Sequence, residues 1–111
     1  MGVYDTATKL ASEIKGSKEY KSFRKNMKDV KNDKKSEELL KEYRDMQIYI
    51  QGLAIKGKEL DKKMVRKLET IQKKVANNIK VSNYLDSEEK FAQMMNNINK
   101  IIADAVEKDY R

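Results

Sequence analysis

The sequence predicts an all-α fold: an elongated helical hairpin or bundle of about five helices, two of them long and antiparallel, expected as a dimer. Three observations carry this. The 111 residues include no proline and only four glycines, and a chain with so few breaks forms few, long elements. Hydrophobic and charged residues each make up 39%, a balance that suits amphipathic helices better than the many turns of a β-sandwich or barrel. Apolar residues recur at helical spacings through most of the chain. Tight breaks are signposted only at "KGSK" (15–18) and "IKGKELD" (55–61). The chain therefore reads as a single helical domain over residues 1–111, large enough for a modest core.

The first helix presents Val3, Ala7, Leu10 and Ile14 with Tyr4 beside them, and ends at Gly16. Ser17 offers an N-cap to the second, with Glu19 in the first turn where a helix favours negative charge. The second helix carries Tyr20, Phe23, Met27 and Val30 on one side. Lys18, Lys21, Arg24, Lys25, Lys28 and Lys31 wrap the other. Residues 31–33 interrupt it, and Asp33 or Ser36 can cap the third helix. That helix shows Leu39, Leu40, Tyr43, Met46, Ile50, Leu53 and Ala54; Gly52 weakens it and Gly57 ends it. The fourth resumes after Glu59 or Asp61 with Leu60, Met64, Leu68, Ile71 and Val75 facing inward. A break or kink falls at Ala76–Asn78, since asparagine caps and turns well.

The fifth helix, from Ile79 to about Lys108, repeats at seven. Tyr84, Phe91, Ile98 and Ala105 form one such series, Met94 with Ile101 and Met95 with Ile102 two more. These occupy a, d and e positions, a stripe wider than a two-stranded seam, and so require more than one neighbouring helix. The third helix supplies one candidate, since Leu39, Met46 and Leu53 are also seven apart. Long helices in a short chain leave apolar ends uncovered, which a second copy can bury. Tyr84, Phe91, Met94, Met95, Ile98, Ile101 and Ile102 are thus the candidate self-association or partner face.

Absence narrows the chemistry. Without histidine or cysteine, Ser-His-Asp and Cys-His nucleophiles, Cys/His zinc sites and Glu-x-x-His di-iron sites are excluded. No phosphate-binding glycine loop is present. Glu37/Glu38 and Glu88/Glu89 are sequential neighbours, which point about 100° apart on a helix and form no shared dyad. Glu88 falls inside the apolar stripe and is expected to be partly buried in an ion pair. No catalytic, cofactor-binding or metal-ligating residue is assigned, and the chain is not expected to be an enzyme or to hold a cofactor.

The net charge of +7 is segregated. Residues 15–35 hold nine basic and three acidic side chains, residues 56–80 the same, and the remainder is net −5. The basic face of the second helix, Lys18, Lys21, Arg24, Lys25, Lys28 and Lys31, could follow phosphates in a salt-dependent way. However, 21 of the 25 basic residues are lysine and the aromatics lie on the apolar side. Base reading and stacking are therefore unsupported, and a solvated surface is the preferred reading. No stretch approaches the roughly 20 apolar residues of a membrane span. "MGVYDT" fits an acylation pattern but is explained as a helix face, and the cytoplasm is the expected compartment.

Three stretches together resemble the YlbF/YmcA family of small helical bacterial proteins, most of all its YheA-like branch: "VYDTATKLASEIKGSKEYKSF", "LLKEYRDMQIYIQ" and "YLDSEEKFAQMMNNINKII". The resemblance spans nearly the whole chain and lies in order and spacing, with Tyr4-Asp5, Gly16-Ser17, Tyr43-Arg44, Gln47, Glu88, Phe91 and 99–102 as its markers. It implies an all-helical, elongated, self-associating fold. Better-known members act in a protein complex that influences competence, sporulation and biofilm formation through RNA maturation, and carry cysteines linked to iron–sulfur clusters. This chain has no cysteine, so neither the cofactor nor membership of that complex carries over to it; the resemblance implies developmental or RNA-maturation regulation with the pathway unassigned. The resulting expectation is a cytoplasmic, non-enzymatic regulatory protein that binds other proteins as a homodimer. The alternative is an RNA- or DNA-associated protein using its lysine-rich faces.

Overall fold

The structure is a computed structural model that describes residues 2–110; Met1, which opens the "MGVYDT" pattern, lies outside them. Every regular element among the described residues is helical: α1 (Val3–Lys15), α2 (Lys18–Lys31), α3 (Lys34–Ile55), α4 (Lys62–Ala76) and α5 (Ile79–Glu107), then a 3₁₀ turn at Lys108–Tyr110. The five helices begin and end where local chemistry directs them. Ser17 Oγ accepts the Tyr20 N–H at 3.1 Å and caps α2. Asp61 accepts from Met64 N–H at 2.8 Å and caps α4. Asn78 Oδ1 accepts from Val81 N–H at 3.0 Å and starts α5. Each of these bonds satisfies a donor that the first turn leaves open. Gly57 has φ +69°, and Lys58 N–H reaches Leu53 O while Gly57 N–H reaches Ala54 O. This is the paired closure that ends a helix on a left-handed residue, so Gly57 stops α3. Gly52 is passed without a break.

At Asp33 the outcome differs from a simple cap. It occupies the N-cap position of α3 in extended geometry, and the main bond its carboxylate accepts is from the Ser36 hydroxyl at 2.5 Å.

The chain divides into two compact units, Met1–Lys25 with Leu85–Arg111 (unit 1) and Asn26–Tyr84 (unit 2). Unit 2 holds the core. Here α3 and α4 pack as a hairpin, and Val30, Leu39, Met46, Ile71, Val81 and Tyr84 are buried. All but Val81 lie on the stripes read from sequence. Buried Ser36 is satisfied by Asp33 and by Asn78 Nδ2, which donates to its hydroxyl at 3.1 Å. A single polar chain thereby ties the start of α3 to the start of α5.

Unit 1 is built differently. Phe91 of α5 stacks on Phe23 of α2, with centroids 5.2 Å apart, and meets Tyr20 edge-on at 5.7 Å. Both are favourable aromatic geometries. Among its described residues only Ser87 is buried. Leu10 and Ile14 of α1 are half-buried, but Val3 and Tyr4 are 82% and 89% exposed. The inward face expected of α1 is thus covered only in its second half.

The expected pairing of α5 with α3 takes a limited form. Arg44 lies over the Tyr84 ring, 5.9 Å from its centroid, whereas the aromatic part of α5 meets α2.

Candidate functional site

The proposed partner face changes character along α5. Tyr84, only 6% exposed, sits inside unit 2 under Arg44 and is internal rather than offered to a partner. Phe91 is half-buried and engaged with Tyr20 and Phe23. Met94, Met95 and Ile98 are half-buried. Ile101 and Ile102 are 70% and 53% exposed, and Val106 beyond them is also open. The seven-residue repeat continues while its cover stops.

Met94, Ile98 and Ile101 line one shallow cleft of about 290 Å³, rimmed by Glu19, Lys90, Gln93 and Asn97. An apolar floor with a polar rim is the ordinary anatomy of a protein–protein contact. Val3 and Tyr4 add exposed apolar surface to the same unit. Sequence reasoning assigned them to an internal face, because their spacing is indistinguishable from that of Leu10 and Ile14.

The six basic residues of α2 are all exposed. Glu19 lies in the first turn of that helix and Lys28 and Lys31 in its last, in keeping with the helix dipole. Arg24 and Lys25 are engaged in interactions of their own. Helix α4 is also rich in exposed cations: Lys62, Arg66 and Lys73 lie opposite buried Ile71, with exposed Glu69 among them, while Lys63, Lys67 and Lys74 flank the buried side.

A larger cleft of about 740 Å³ lies in unit 2, lined by residues that include Asp33, Lys35, Glu38, Glu42, Lys73, Lys74 and Lys80. Its charges are mixed and partly paired, with Lys80 3.8 Å from Asp33 and Lys74 4.0 Å from Glu42. The Ser36 hydroxyl's hydrogen bond, helped by nearby Lys80 and Lys35, holds the Asp33 carboxyl below its ordinary pKa. A carboxylate kept charged in this way suits a structural tie better than proton transfer. Glu88 is half-buried, as its place in the stripe implies, and is not without a partner. Among the described residues no three acidic side chains gather as a metal site, and no helix is long and apolar enough to cross a membrane.

Comparison with known proteins places these surfaces in context. The family model described as "Control of competence regulator ComK, YlbF/YmcA" matches residues 3–107. The chain is similar to a UPF0342 protein of Clostridium novyi, 31% identical over 110 residues, covering 99% of this chain and 96% of that one. It is also similar to a UPF0342 protein of Symbiobacterium thermophilum, 29% identical over 107 residues and 96% of each chain. Among solved structures, a protein of unknown function (DUF964) from Bacillus stearothermophilus aligns with a TM-score of 0.79 at 16% identity, over 97% of this chain and 95% of that one. Bacillus subtilis RicA, in complex with RicF, aligns with a TM-score of 0.66 at 18% identity, over 97% and 96%. At these identities the structural likeness is one of fold.

Proposed function

The chain belongs to the YlbF/YmcA family, and from that premise we propose that it is a non-enzymatic, cytoplasmic regulatory protein that works by binding proteins, first of all a second copy of itself. The contact runs along the C-terminal half of α5. What supports this is the uncovered part of the stripe: Ile101 and Ile102 continue the repeat of Met94 and Met95 but are exposed, in a unit whose described residues include no fully buried hydrophobic side chain. Such a surface gains by being covered. The structural neighbour RicA, crystallised with RicF, is consistent with a fold used for protein contacts. The chain is read as one domain because its division falls inside α2 and α5, whereas domain boundaries fall in linkers.

Sedimentation velocity tests the reading. Wild type should sediment as a dimer. Met94→Asp and Ile101→Asp should each weaken assembly at least about 100-fold, because an unpaired buried carboxylate costs roughly 3 kcal/mol or more. If both variants stay dimeric and equally stable, α5 is not the seam.

A further inference from the structure

Helix α4 lacks the first-turn carboxylate that α2 has in Glu19. Its first turn opens with Lys62 and Lys63 and contains no acidic residue, although that end of a helix carries the positive end of the dipole. Lys62 with Arg66, and Lys63 with Lys67, are like charges four residues apart, as Lys21 with Lys25 and Arg24 with Lys28 are in α2, a spacing that weakens a helix. Asp61 is spent on the N-cap. Among the described residues Lys74 has a carboxylate at ion-pair distance, Glu42 at 4.0 Å, while Lys62, Lys63, Arg66, Lys67 and Lys73 have none. Glu69 also lies on the exposed side of α4 without reaching ion-pair distance of them, so these five cations are open to an external anion.

The surroundings identify the ligand class. Unit 2 carries fifteen basic and nine acidic residues, a net of +6, against ten and nine in unit 1. The six cations of α4 extend over thirteen residues, Lys62 to Lys74, about 18 Å of helix. The helix contains no aromatic residue and one arginine, so it has no stacking platform and little capacity to read base edges. Its apolar stripe is committed inward, with Ile71 buried and Met64, Leu68 and Val75 half-buried. Apart from partly exposed Val65, the outer face lacks the apolar belt by which an interfacial helix enters a bilayer.

We propose that the outward face of α4 binds the phosphodiester backbone of nucleic acid without sequence preference. Lysines held in mutual repulsion are relieved when phosphates replace their counterions, and affinity then falls steeply with salt. The face lies in unit 2 and does not depend on the α5 contact.

The test is fluorescence anisotropy of the full chain with mixed-sequence single-stranded RNA and with DNA of the same sequence, titrated across salt concentrations. Wild type should bind both strands with similar affinity. The combined variant Lys62→Gln, Lys63→Gln, Arg66→Gln and Lys67→Gln should flatten the log–log salt slope by about 3, four phosphate contacts at about 0.7 each. The matched α2 variant, Lys18→Gln, Lys21→Gln, Lys28→Gln and Lys31→Gln, should keep most of the slope. Without ligand, the α4 variant should melt at or above the wild-type temperature, since repulsion has been removed. The proposal is overturned by no binding at low salt, by loss confined to the α2 variant, by tighter binding to phosphatidylserine vesicles than to either strand, or by a lower melting temperature of the α4 variant.

Discussion

Asp33, Ser36 and Asn78 show how much a few polar atoms carry in a small core. Ser36 is fully buried, donates to Asp33 and accepts from Asn78, whose own oxygen caps α5. Ser36→Ala removes both bonds and strands the Asn78 amide, so it should cost about 1–3 kcal/mol in urea unfolding near neutral pH. The Asp33 pKa is depressed in the folded state, first by the Ser36 hydroxyl. The sign comes from linkage: the stabilisation is present above the unfolded carboxyl pKa and is lost as pH falls through the folded value. Wild type should therefore lose more stability on acidification than Asp33→Asn, measured by paired urea titrations in neutral and acid buffer. Equal losses would mean that Asp33 contributes nothing. Asp33, Ser36 and the asparagine break at 76–78 were legible beforehand as local caps, but their connection was not, because caps act over three residues while the Ser36–Asn78 bond spans 42.

Individual helices were the most readable scale. Boundaries at Gly16, Gly57, Asp61 and Asn78 arise from capping and from the left-handed backbone of Gly57, all local causes. The stripes of α3 and α4 likewise face the core, with Met46 and Ile71 at its centre. Ile71→Ala should cost about 2–5 kcal/mol, since its transfer energy is lost and a cavity remains. Ile48 lies off the α3 stripe and is 67% exposed, so Ile48→Ala should change stability by no more than about 0.5 kcal/mol. Chemical denaturation of the two variants separates them, and similar losses would place Ile48 in an unrecognised contact. Val3, Tyr4, Ile101 and Ile102 show the limit of periodicity: it says that a face is apolar, not that anything covers it.

For the molecule as a whole, charge and burial divide between the units. Unit 2 holds the buried hydrophobic residues and most of the excess positive charge, while unit 1 is near neutral and exposes Val3, Tyr4, Ile101, Ile102 and Val106. A unit with so little covered apolar surface should draw stability from association. Raising the protein concentration about 100-fold should then raise the midpoint of thermal unfolding by several degrees, because a partner that binds only the folded chain stabilises it by mass action. Ile101→Asp should abolish that dependence. A melting temperature indifferent to concentration in the wild type would rule out stabilisation by self-association.

The all-helical class, the number of helices and their ends were determined by the sequence itself, because propensity, capping and glycine geometry operate within a turn or two. Tertiary structure alone decided which of several equivalent stripes became core. Tyr84 and Ile101 belong to the same amphipathic face of α5, yet one is enclosed beneath Arg44 and the other is 70% exposed. Burial depends on whether a distant segment arrives at the same place, and no local pattern in the chain encodes that arrival.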